Sequence, residues 1–269
     1  TPSQVGTNLF GKGTVMKVKI ASLLAVSVVL LSACSSNNLK EPTRAEKAED
    51  LSRIKTQLAI EYMNVQDYRA AIEAIEQALA ADGKNLNAWL TRAEVYHYLK
   101  MTSKAEESYQ RALSINPQSA ETNNNYGWYL CNTLGRVSES ISRFDIALSD
   151  PTYPSPFVAY YNKGICTARL GQYAQGEALL KQSIAANPRF VPANKELARL
   201  KMNEGQASAA DSYFKIYQSQ VDQLSADDLL LGWQISQRMG QMQAAAEYEM
   251  QLRANFPYSE ELKQMTTGH

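Results

Sequence analysis

Residues 86–119 read LNAWLTRAEVYHYLKMTSKAEESYQRALSINPQS, and this stretch decides the fold. Trp89, Ala93 and Tyr96 fall on one face at helical spacing, Ala105, Tyr109 and Ala112 do the same further on, and Pro117 closes the second run. Small residues sit where two helices cross closely, and aromatic rings fill the gaps beside them. The unit recurs: Ala59, Tyr62, Ala71 and Ala78 are followed 34 residues later by Ala93, Tyr96, Ala105 and Ala112. Gly164 and Ala198, Ala198 and Gly232, and Gly171 and Gly205 keep the same separation. A helical hairpin of this size cannot bury its own apolar face, so neighbouring hairpins must stack.

The period and its small, aromatic and proline positions are those of the tetratricopeptide repeat. The fold class is therefore all-α, a right-handed superhelix of six tetratricopeptide hairpins at about 52–85, 86–119, 120–156, 157–190, 191–224 and 225–259. The third repeat is long because Asp150–Pro156 adds a proline-rich loop. Gly135, Gly171, Gly205 and Gly240 mark turns inside hairpins, while Asn116-Pro117 and Asn187-Pro188 end second helices. Tyr62, Trp89, Tyr96, Tyr109, Phe144 and Phe214 take packing positions, and residues 260–269 read as a C-terminal tail.

The N-terminus sets the compartment. Met16-Lys17-Val18-Lys19 is a cationic start, Ile20–Leu31 is apolar, and Leu31-Ser32-Ala33-Cys34 resembles a bacterial lipobox. The apolar run is too short to span a bilayer and fits a signal peptide over 16–33, preceded by a leader, tag or misassigned start over 1–15. Cys34 is the expected lipidation site, and Ser35 in place of an inner-membrane-retaining Asp points to the periplasmic face of the outer membrane. Residues 34–51 carry that Cys and a polar tether able to reach roughly 50 Å when extended.

Composition excludes several classes. Twenty-seven Lys+Arg balance 27 Asp+Glu, and removing 1–33 deletes Lys12, Lys17 and Lys19 and no acid, so the remainder is acidic and unsuited to nucleic acid. Fifteen Tyr against two His, His97 and His269, suit packing and contact rather than proton transfer. No G-x-S-x-G, Walker A, C-x-x-C or H-E-x-x-H sequence occurs, so no enzyme, metal, cofactor or small-molecule substrate is expected.

First helices of such repeats line the concave face. Helical turns place Leu90, Glu94, His97, Asn124, Trp128, Tyr161, Ile165, Lys195 and Arg199 there as partner-binding candidates. His97 reads as a groove or helix-surface residue rather than a catalytic one. Trp128 is either an interface anchor or a filler of the wide third repeat. Cys131 and Cys166 lie at nearly equivalent positions of repeats three and four. In the periplasm they pair if their Cα atoms come within about 7 Å, and otherwise remain two buried thiols.

A lipobox, a tether and six repeats carrying NNNYGWYLC (123–131), DPTYP (150–154), NKGIC (162–166), LLLGW (229–233) and NFPYSE (255–260) resemble the type IV pilus biogenesis and stability lipoproteins, the PilF/PilW family. That resemblance covers 16–265. It implies a pilotin-like assembly factor whose partners are the pilus secretin, which it helps to localise or multimerise, and other pilus-assembly proteins. The alternative is a repeat lipoprotein of another envelope machine, such as the outer-membrane protein assembly complex, which should lack the NNNYGWYLC and NFPYSE stretches.

Overall fold

The computed structural model describes residues 41–267. Among them there are thirteen helices and no strand. They run α1 (Arg44–Asn64), α2 (Tyr68–Ala81), α3 (Leu86–Tyr98), α4 (Thr102–Ile115), α5 (Ala120–Asn132), α6 (Val137–Ser149), α7 (Pro156–Arg169), α8 (Tyr173–Ala186), α9 (Pro192–Asn203), α10 (Ala207–Gln218), α11 (Ala226–Arg238), α12 (Met242–Asn255) and α13 (Glu260–Thr267). Helices α1 to α12 pair as six successive hairpins, the expected tetratricopeptide array. The leader, the signal peptide and Cys34 lie outside the described residues.

Two expectations at the ends differ. The tether expected over 34–51 is helical from Arg44. Arg44–Asp50 is composed almost wholly of strong helix formers. Thr43 and Glu46 also cap each other, with 3.2 Å from the Glu46 N–H to the Thr43 hydroxyl and 2.6 Å from the Thr43 N–H to the Glu46 carboxylate. Polarity without an apolar period thus hid a helix. This segment to Lys47 counts with the N-terminal unit, and the compact unit begins at Ala48. At the other end, Glu260–Thr267 is α13 rather than a tail. The Ser259 hydroxyl accepts the Leu262 N–H at 3.2 Å, and Leu262 and Met265 cover Leu229, Leu230 and Leu252 of the last hairpin. An end repeat leaves an apolar face that needs such a cap.

Within each hairpin the crossing is close because one partner is small. Ala93, Ala105, Ala112, Ala198 and Ala210 are completely buried. At Gly232 a Cβ would lie 2.7 Å from the Tyr248 ring, so that ring packs directly on backbone. Tyrosines fill the seams between hairpins: Tyr109 stacks on Tyr126 at 5.3 Å and leans on Tyr129 at 5.2 Å, beside Leu90, Ala93 and Tyr96. Phe144 and Phe214 are buried, as are Tyr96 and Tyr109, whereas Tyr62 and Trp89 are half-buried at cluster margins. The turns inside the hairpins all need a left-handed residue. Four use glycine, with φ from 67° at Gly135 to 80° at Gly171, but the first two place Gln66 (61°) and Lys100 (57°) there.

Cys131 of α5 and Cys166 of α7 are joined by a disulfide with a Cα–Cα distance of 6.1 Å. The bridge staples hairpin three to hairpin four under Phe144 and Trp128.

Candidate functional site

The 34-residue register, lengthened once in the third repeat, puts Ile60, Glu94, Trp128, Ile165, Arg199 and Trp233 at one equivalent position of the six first helices. Two cavities open along this line. The larger, 750 Å³, is walled by α1, α3 and α5 and includes Ile60, Leu90, Glu94, Glu121 and Asn125. The smaller, 310 Å³, lies between α7 and α9 and includes Ile165, Arg169, Glu196, Arg199 and Leu200.

In the larger cavity Glu94 is an exposed residue whose carboxyl is nevertheless crowded by the surrounding helices. That crowding, and then the neighbouring Glu121 carboxylate, hold its carboxyl above the usual range. Leu90 forms part of the floor but is only 5% exposed and belongs to the tyrosine seam, so it is core and not a contact residue. His97 is half-buried and meets Tyr129 edge-on at 5.3 Å. It lines a separate 480 Å³ recess with Tyr98, Lys100 and Asn132 near the hairpin turns.

Three further candidates are corrected by their partners. Asn124 is buried: its carbonyl accepts the Asn162 amide at 3.1 Å and its own amide donates to Asn125 at 3.1 Å, bridging hairpins three and four. Lys195 is occupied by Asp227 at 2.7 Å and by Asp228 of α11. Arg199 also pairs with Asp227, although it still borders the smaller cavity. Burial alone would raise Asp228, yet Lys195 and the Ser225 cap hold its carboxyl below the usual range. Lys195 and Arg199 are thus clamps between hairpins five and six. A charge on a groove-facing helix turn looks identical in sequence whether it meets solvent or the next repeat.

Trp128 is half-buried and packs as the filler of the third repeat. It covers the disulfide cluster, and the Arg169 guanidinium stands 5.8 Å from its ring centre. Tyr161 packs edge-on against Phe190 at 5.2 Å, and burial drives its hydroxyl pKa upward. Ile165 lies beside it against Leu180, Leu197 and Leu200. Sequence reading missed Ile60, Glu121, Arg169 and Glu196. The register carried the signal for the first, since Ile60 is one period before Glu94. Glu196 is held above the ordinary carboxylate range by burial, which Arg199 and Lys195 offset in part.

Among the described residues no group of three or more His, Cys, Asp and Glu is placed to hold a metal, and no helix is long and apolar enough to cross a membrane. The arrangement is a set of polar and apolar recesses on rigid helices, suited to gripping another chain.

Comparison with known proteins agrees. A tetratricopeptide repeat family model matches residues 56–120. The crystal structure of PilW, described as a widely conserved type IV pilus biogenesis factor, is 61% identical, covers 80% of this chain and 98% of its own, and superposes with a TM-score of 0.75. The chain belongs to the PilF/PilW family. The type IV pilus assembly protein PilF of Pseudomonas aeruginosa is 26% identical over 91% of this chain and 96% of its own length. A solved structure of Pseudomonas aeruginosa PilF, 24% identical over 83% of this chain and 100% of its own, shares the fold with a TM-score of 0.70. As a PilF/PilW-family repeat protein, the chain is a type IV pilus biogenesis factor, a role that implies protein–protein interaction.

Proposed function

We propose that this chain is a non-enzymatic, outer-membrane lipoprotein, anchored through Cys34 at the periplasmic face, that assists the pilus secretin to localise or multimerise and so supports pilus stability. The observation that carries the reading is the 61% identity to PilW over nearly the whole of that chain. The Cys131–Cys166 disulfide supports an exported location, because such bridges persist in oxidising compartments. The lipobox supplies the anchor.

The experiment is a deletion strain complemented with wild type or Cys34→Ser. The anchorless protein should stay folded but leave the outer-membrane fraction, and both secretin multimers and surface pili should decline. Normal multimers and normal piliation in the deletion strain would refute the role.

A further inference from the structure

We propose that the groove walled by α1, α3 and α5 docks a cationic segment of the protein partner, whose Lys or Arg side chains reach Glu94 and Glu121. This rests on the reading that the chain works by binding protein, and it specifies where and with what chemistry.

Five carboxylates but only two cations line the 750 Å³ cavity. One cation, Arg53, is already taken by Asp50 at 3.0 Å. Asp82 is turned to its own loop, where it accepts the Lys84 N–H at 2.9 Å. Glu94 and Glu121 have neither an ion pair nor a side-chain hydrogen bond.

The contrast with the other end of the same face selects the occupant. There the groove-side acids are already matched: Asp227 and Asp228 hold Lys195, Asp227 also holds Arg199, and Arg199 lies 3.7 Å from Glu196. Hairpins five and six neutralise their acids internally, while hairpins two and three leave theirs open.

Crowding by the surrounding helices, and then the Glu121 carboxylate beside it, hold the Glu94 carboxyl above its usual range, so this pair of acids stands uncompensated. A partner ammonium or guanidinium compensates it. Ile60 offers an apolar wall for the aliphatic stem of such a side chain, and Asn125 presents an amide beside it. A divalent ion fits poorly, since the described acids form no metal-holding group.

The test uses the full chain carrying E94Q/E121Q. Removing charge from Glu94, whose ionised form burial disfavours, leaves the fold intact, and an unchanged circular dichroism melt verifies this. A labelled lysine-rich peptide and its glutamate counterpart of equal length serve as probes in fluorescence anisotropy. Wild type should bind the lysine peptide alone, and E94Q/E121Q should bind it about tenfold more weakly with a shallower salt dependence. E247Q/E249Q, on α12 and away from the groove, should bind as wild type does. Equal weakening in both variants, no weakening in the groove variant, or equal binding of the glutamate peptide overturns the proposal.

In cells, a photocrosslinker at Gln57 should capture a Lys- or Arg-bearing segment of a pilus-assembly protein, and capture of a segment without basic residues overturns it. Normal piliation of E94Q/E121Q, in a species whose deletion strain lacks pili, sinks the groove proposal while leaving the pilus role standing. Normal pili in the deletion strain sink the role itself.

Discussion

Removing the bridge between hairpins three and four should cost about 4 kcal/mol. Cys131 and Cys166 are 35 residues apart in sequence. In the chain-entropy account, closing a loop of that length removes about 12.7 cal/mol/K from the unfolded ensemble, or about 3.8 kcal/mol at room temperature. The perturbation is Cys131→Ala with Cys166→Ala. Alanine is preferred to serine because the two residues are 2% and 0% exposed, and a hydroxyl there would lack a partner. With a urea dependence of about 3 kcal/mol per molar, the unfolding midpoint should drop by more than about 1 M. Because each repeat contacts only its neighbours, faster amide exchange should concentrate in α5 to α8 and leave α1 and α12 nearly unchanged. The assay is urea denaturation followed by circular dichroism, with wild type run with and without reductant. A midpoint for the double variant close to that of oxidised wild type, or a wild-type midpoint insensitive to reductant, would show that loop closure contributes nothing here.

Gly232→Ala should destabilise by about 1–3 kcal/mol, because the new methyl meets the Tyr248 ring, and Tyr248→Leu in the same chain should restore part of the loss in a thermal melt. Lys100→Gly should raise stability by about 0.5–1 kcal/mol by relieving a left-handed backbone that the later hairpins give to glycine, and a lowered urea midpoint would contradict this. Lys195→Ala should cost about 3–5 kcal/mol, since it strands the buried Asp228 carboxylate. The same pair sets an acid limit. Asp228 has a folded pKa below its ordinary 3.8, so its contribution is present above that value and is lost as pH falls through the lower folded pKa. Wild-type stability should therefore decline below about pH 4 more steeply than that of Lys195→Ala.

Much of the fold was readable because repetition amplifies weak signals. One alanine or tyrosine at helical spacing says little, but the same residues at 34-residue intervals fix hairpin, turn and seam together. The ends escaped because they have no neighbour on one side. Arg44–Asp50 makes a helix from capping and propensity without an apolar stripe, and Leu262 and Met265 are too short a pattern to signal a cap. The site was half legible. Register located the groove and the position shared by Glu94, Trp128, Ile165 and Arg199. It could not tell an open acid from a clamped base, because Lys195 is defined by Asp227 and Asp228, a repeat away.

The sequence by itself determined the repeat number and the helical class, and put Cys131 and Cys166 at nearly equivalent positions of neighbouring repeats, since these follow from spacing along one chain; that the two pair was decided by the tertiary structure. Only the tertiary structure decided which groove charges are free. An ion pair depends on distances across helices, where a shift of a few ångströms exchanges a salt bridge for a solvated charge. Lys195 and Glu94 occupy first helices alike, yet one holds two hairpins together and the other stands open to a partner.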